Sequence, residues 1–93
     1  MAQEIESLIE QGAAVLREAG AREVYVFGSA AKGSMRDGSD VDLAVVGLPP
    51  TVFFRAMTAA SDALGRPLDL VDLDDDNPFT RYLRRHGELR RVK

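Results

Sequence analysis

Cysteine and tryptophan are absent from this chain, histidine occurs once, and aromatic residues make up only 6%. Without cysteine there is no disulfide to brace the fold and no thiolate to hold zinc, so any bound metal must be held by oxygen. The same absence suits a reducing cytoplasm, which is where the protein is expected to reside. Long apolar runs are missing as well, and none approaches the ~18 residues that a membrane span requires. The opening stretch MAQEIESLIEQG carries carboxylates where a signal peptide needs positive charge and continuous apolar residues. No membrane partner is expected. Excess positive charge is lacking too: a net charge of −3 argues against a dedicated nucleic-acid binder, whose phosphate contacts demand a basic face.

What is present is a globular balance, 45% hydrophobic and 29% charged in 93 residues, which fits one compact domain over residues 1–93. Charge is unevenly placed. Residues 69–76 hold five aspartates, whereas 81–93 hold Arg81, Arg84, Arg85, Arg90, Arg91 and Lys93. A solvated surface is the plain reading of that segment and a docking surface the sharper one.

Ile5, Leu8, Ile9, Gly12, Leu16 and Ala19 recur at helical intervals before Gly20, predicting a first helix. Val24 to Phe27 is β-branched and aromatic, ends at Gly28, and predicts a buried strand. Ser29 to Lys32 is compatible with a helix start, and 33–38 reads as a loop. Asp40 to Val46 alternates, setting Asp40, Asp42, Ala44 and Val46 on one face of a second strand. Beyond Pro49-Pro50, the stripe Phe53, Phe54, Met57, Ser61 and Leu64 predicts a helix closed by Gly65, followed by a strand from Leu68 to Leu73. Asn77-Pro78 reads as a cap and first turn, with Phe79, Tyr82 and Leu83 facing inward and Gly87 ending the helix. Leu89 to Val92 adds a short edge strand. The expected fold class is α/β (α+β): a small mixed sheet of three to four strands backed by helices.

The chemistry concentrates at a pair of carboxylates. On a strand, Asp40 and Asp42 project to one face about 7 Å apart, from a rise of ~3.3 Å per residue, so both can reach one or two hard cations. Two unpaired aspartates on a half-buried face cost several kcal/mol in desolvation, and magnesium is the economical compensation. Asp69 and Asp72 on the third strand point to opposite faces. Asp69, set inside the apolar run Leu68-Asp69-Leu70-Val71, is the one chosen to join the pair, since Asp72 opens an acidic loop. Gly28-Ser29 completes the set: glycine lets a phosphate approach the backbone, and a following helix N-terminus offers free N–H groups.

Gly28-Ser29 followed by Gly38-Ser39-Asp40-Val41-Asp42-Leu43 resembles the signature of the DNA polymerase β-like nucleotidyltransferase superfamily, in its minimal nucleotidyltransferase (MNT) branch. The likeness covers residues 22–73 closely and the remainder loosely. It implies the polymerase β-like fold, and two Mg2+ ions held by Asp40 and Asp42 with Asp69 completing the catalytic and metal site. Asp69 would help deprotonate the attacking hydroxyl. It also implies a nucleoside triphosphate, ATP, as substrate, its phosphates held by Gly28 and Ser29, with Lys32, Arg36 and Ser39 as further nucleotide contacts. Short members of the branch are antitoxins paired with HEPN-domain ribonuclease toxins. The resemblance therefore suggests transfer of AMP to a toxin tyrosine, with nucleic acid met only through the toxin.

Rival readings are open at this stage: an antitoxin that acts by occlusion without catalysis, or transfer to a small molecule or an RNA end. An intact glycine, serine and three aspartates favour an enzyme over occlusion. In 93 residues there is no room for the second domain that would grip a small acceptor. A calcium loop at Asp40-x-Asp42 or Asp72-x-Asp74-x-Asp76 fails because neither has glycine at the sixth place or glutamate at the twelfth. His86 reads as a helix-end dipole partner; Tyr25 and Tyr82 could be stacking platforms for a base, but their spacing in strand and helix fits core packing better.

Overall fold

The computed structural model describes residues 5–28, 31, 40–87 and 89–93. Ser29, Lys32, Arg36 and Ser39, together with the expected loop 33–38, lie outside the described residues. The elements run α1 (Ile5–Glu18), β1 (Glu23–Phe27), β2 (Val41–Val46), a 3-10 turn (Pro50–Val52), α2 (Phe53–Leu64), β3 (Leu68–Asp72), α3 (Pro78–His86) and β4 (Arg90–Arg91). The sheet is mixed, in the order β3-β2-β1-β4. β1 pairs antiparallel with both β2 and β4, and β2 pairs parallel with β3. Parallel neighbours need a crossover, and α2 supplies it.

Alternation sorts each strand between two faces. Val24 and Val26 of β1, Val41, Leu43 and Val45 of β2, and Leu68 of β3 enter the main core with Ile9, Leu16, Ala60 and Leu64 of the helices. α1 and α2 therefore cover that face, and they approach closely. A Cβ at Gly12 would sit 3.1 Å from Leu64 Cγ, so glycine sets how near the helices can lie. The opposite face carries a smaller cluster, Ala44, Leu73 and Leu83, flanked by Tyr25, Phe27, Val46, Val71 and Leu89. Among the described residues α3 is the helix that packs there, through Leu83. Among the described residues no helix is long and apolar enough to cross a membrane.

Two helical faces differ from expectation. In α2 the buried residues are Ala56, Ala60 and Leu64, with Phe53 and Met57 packed partly against the core, while Phe54 is 74% exposed and meets Phe53 edge-on. A helix turns ~100° per residue, so a stripe anchored on Leu64 passes through Ala60, Met57 and Phe53 and cannot also include Phe54. In α3 the inward residues are Thr80 and Leu83, whereas Phe79 and Tyr82 are 51% and 58% exposed. The cap explains the phase. Asn77 accepts a hydrogen bond from the Thr80 amide at 2.9 Å, and Thr80 Oγ1 accepts one from the Asn77 amide at 3.1 Å and donates to the Asp75 carbonyl at 2.6 Å. That pins Thr80 inward and Leu83, one turn on, with it. Tyr25 does pack on the sheet, as the core reading required.

The last residues are tied down as well. The Val92 amide donates to the Val24 carbonyl at 2.8 Å, and the Arg17 guanidinium donates to the carbonyls of Val92 and Lys93 at 3.1 and 3.0 Å. The edge strand expected at Leu89 to Val92 is present in shortened form as Arg90–Arg91.

Candidate functional site

Three chain segments meet at one end of the open face: the C-terminal end of β1, and the N-terminal ends of β2 and β3. In the sheet register Asp42 lies between Phe27 on β1 and Asp69 on β3. Asp42 and Asp69 are thus direct cross-strand neighbours, and alternation puts both on the face that bears Ala44 and Val71. Asp72 is paired instead with Val45, on the opposite phase, and its Oδ1 accepts from the Asp74 amide at 2.9 Å. It caps the turn after β3 and does not approach the pair. Asp40 stands exposed just ahead of β2, whose first residue is fastened to the residue preceding β3 by the Val41 amide donating to the Pro67 carbonyl at 3.0 Å.

Two acids side by side on adjacent strands repel, and the structure registers this. Asp42 is half-buried, and its pKa is raised above the usual carboxylate range. Burial is the largest cause, followed by the charge of Asp69, a hydrogen bond with Asp69 and the charge of Asp40. Asp69 and Asp40 therefore both act on Asp42. Because the folded pKa lies above the unfolded one, the native state binds the extra proton. The associated stability is complete below the unfolded Asp value of ~3.9 and is lost as pH rises through the raised value. In chelator-treated buffer, thermal stability relative to the Asp42→Asn variant is expected to fall as pH increases from 4 toward neutrality. Parallel melting curves across that range would contradict the assignment.

Gly28 closes the other side. Its φ is +71°, in the left-handed region, and a Cβ there would collide with Asp42 Oδ2 and come within 3.3 Å of Asp42 Cγ. Glycine is needed twice, for the backbone angle and for the space. The turn after β1 consequently lies against the Asp42 carboxylate with bare backbone, which is the surface a phosphate requires.

Among the described residues no group of three His, Cys, Asp or Glu side chains is gathered as a ready-made metal cluster. The donor set nonetheless fits a hard divalent cation. It is all oxygen, it brings like charges together on one sheet face, and it is flanked by a cradle that a Cβ would fill. Sequence reasoning did not anticipate the neighbourhood of Gly28. Phe27, Phe79, Tyr82 and His86 line a groove of about 300 Å³ that also reaches Gly28. The signal available was the Asn77-to-Thr80 cap spacing, which sets the phase of α3 and turns Phe79 and Tyr82 outward.

Comparison with known proteins agrees with this geometry. The profile of the family described as Polymerase beta, Nucleotidyltransferase matches residues 10–89. No curated protein matches the chain in sequence. Among solved structures, the chain is similar to a minimal nucleotidyltransferase, with 30% identity and a TM-score of 0.71 over 91% of this chain and 94% of the other. It is also similar to a chain of a toxin–antitoxin complex solved with AMP-PNP, at 26% identity and a TM-score of 0.69 over 90% and 70% of the two chains. A third likeness, at 23% identity and a TM-score of 0.63 over 90% and 70%, is to a complex of tri-AMPylated Shewanella oneidensis HEPN toxin with its MNT antitoxin, and shows the fold.

Proposed function

We infer the function of this chain from one premise: it belongs to the polymerase beta nucleotidyltransferase family. The reaction proposed is transfer of AMP from ATP to a hydroxyl, that of a tyrosine on a HEPN-domain toxin, in the cytoplasm. The observation that carries it is the placement of Asp42 beside Asp69 with Gly28 bare against the Asp42 carboxylate.

The parts proposed for Gly28, Asp40, Asp42 and Asp69 follow from their positions, and those of Ser29, Lys32, Arg36 and Ser39 from the family resemblance. Gly28, with no side chain, lets the triphosphate come against the turn, and Ser29 is proposed to add a hydroxyl donor. Lys32, Arg36 and Ser39 are proposed as further contacts to the phosphates. Asp40 and Asp42, with Asp69, are the residues that would hold Mg2+, which when bound neutralises phosphate charge and stabilises the attacking and leaving oxygens at phosphorus. Asp69, at the outer side of the pair and exposed, is positioned to accept the proton of the attacking hydroxyl on its carboxylate. The new bond joins that oxygen to the α-phosphorus, and pyrophosphate leaves.

A toxin as acceptor is supported by the toxin–antitoxin complex with AMP-PNP among the similar structures. The test incubates the protein with Mg2+, labelled nucleoside triphosphates and a HEPN-domain protein, beside the double variant Asp40→Asn, Asp42→Asn. Loss of several kcal/mol of charge stabilisation corresponds to roughly 10³-fold slower labelling. Equal labelling by both proteins would sink the transferase reading. Toxin neutralisation that survives in a variant unable to label would replace modification by occlusion.

A further inference from the structure

α3 exposes two aromatic rings for which the fold has no use. Phe79 and Tyr82 are more than half exposed, yet neither is loose. Phe79 meets Phe27 edge-to-face with ring centroids 6.4 Å apart, and Tyr82 lies against His86 at 5.6 Å. These rings wall the groove that opens at Gly28, and Gly28 in turn touches Asp42. One end of the groove is therefore the proposed phosphate cradle, and among the described residues no carboxylate lines its length. Arg85 stands beside Tyr82 and His86 on the outer rim.

We infer that this groove seats the nucleoside of the triphosphate, its base stacked on Tyr82 and Phe79 while its phosphates lie at Gly28. The inference rests on the nucleotidyl-transfer reading and adds to it the residues that hold the base. Four features select a nucleoside. The volume of about 300 Å³ is at the small end of ligand sites and too small for a partner helix. The walls are aromatic, and aromatic rings are platforms on which any base can stack. Among the described residues no negative charge lines it, so none of them repels an anionic ligand. The groove is also continuous with the glycine turn that abuts the carboxylates, so one molecule can occupy both.

Phe79→Ala and Tyr82→Ala are surface changes, and circular dichroism checks that the fold is retained. Binding of ATP and of inorganic tripolyphosphate is measured by calorimetry in Mg2+ buffer for wild type and the double variant. Base stacking is worth about 1–3 kcal/mol per base, so ATP affinity is expected to fall at least ~10-fold while tripolyphosphate affinity stays the same. Tyr82→Phe alone, which keeps the stacking ring, is expected to retain ATP affinity. Unchanged ATP binding in the double variant overturns the inference and leaves the phosphate and carboxylate site standing. Equal weakening of ATP and tripolyphosphate also overturns it, since the rings would then act on the cradle and not on the base. If wild type binds neither compound, the transferase reading fails together with it.

Discussion

Alanine at position 28 is expected to lower the melting temperature by roughly 10 °C or more and to abolish triphosphate binding in the same variant. Two separable causes add. A side chain at a φ of +71° costs about 1–2 kcal/mol in left-handed backbone strain. Forcing a methyl against Asp42 adds about 1–3 kcal/mol of overpacking. Each kcal/mol moves the midpoint of a domain this size by roughly 4–8 °C. Thermal melts of Gly28→Ala, Asp42→Ala and their combination resolve the two. With Asp42 shortened the steric part should vanish and the backbone part remain, so the double variant should be more stable than additivity allows. If the losses simply add, the turn does not press on Asp42 and the cradle is misplaced.

The Asp42→Asn variant should show opposite effects on stability and activity. In metal-free buffer at neutral pH it is expected to melt higher than wild type. Removing one of two like charges directly across a strand pair relieves up to about 1 kcal/mol, or roughly 4–8 °C. Nucleotidyl transfer by the same protein should fall by roughly 10³-fold, because a neutral amide offers a cation far less than a carboxylate does. Titrating Mg2+ then distinguishes function from folding: wild type should gain thermal stability with added ion and the variant should not. A variant that melts lower than wild type in chelator would show that Asp42 serves the fold and not a ligand. Repulsion retained at a site, against the interest of the apo fold, is the signature expected of groups kept for binding.

Much of this site was readable along the chain because strands alternate with a period of two. That rule puts Asp69 and Asp72 on opposite faces, the apolar run around Asp69 chooses between them, and the register sets Asp69 beside Asp42 while Asp72 pairs with Val45. What the pattern could not supply was strand direction. Asp42 and Asp69 are level only because β2 and β3 run parallel, a fact that lies in the α2 crossover and in no local motif. Helical faces were harder. Apolar character points Phe54, Phe79 and Tyr82 inward, but burial is decided by helix phase, and Leu64 in one helix and Thr80 in the other set that phase. Hydrophobicity identifies the candidates; in α3 hydrogen bonding at Thr80 chooses among them, and in α2 the packing of Leu64 does. Phe27 was legible as a strand residue, but its place opposite Asp42 required the antiparallel register of β1 with β2.

The parallel pairing of β2 with β3 also bears on how the chain reaches its native state. β1 and β2 can meet as antiparallel neighbours, whereas Asp42 and Asp69 come together only after the whole 3-10 turn and α2 have folded back across the sheet. Closing that loop carries an entropic cost before any of its contacts form, so the carboxylates are joined late in folding. A partly folded chain holds Gly28 and Asp42 without Asp69. The proposed constellation of three aspartates thus exists only in molecules whose sheet is complete.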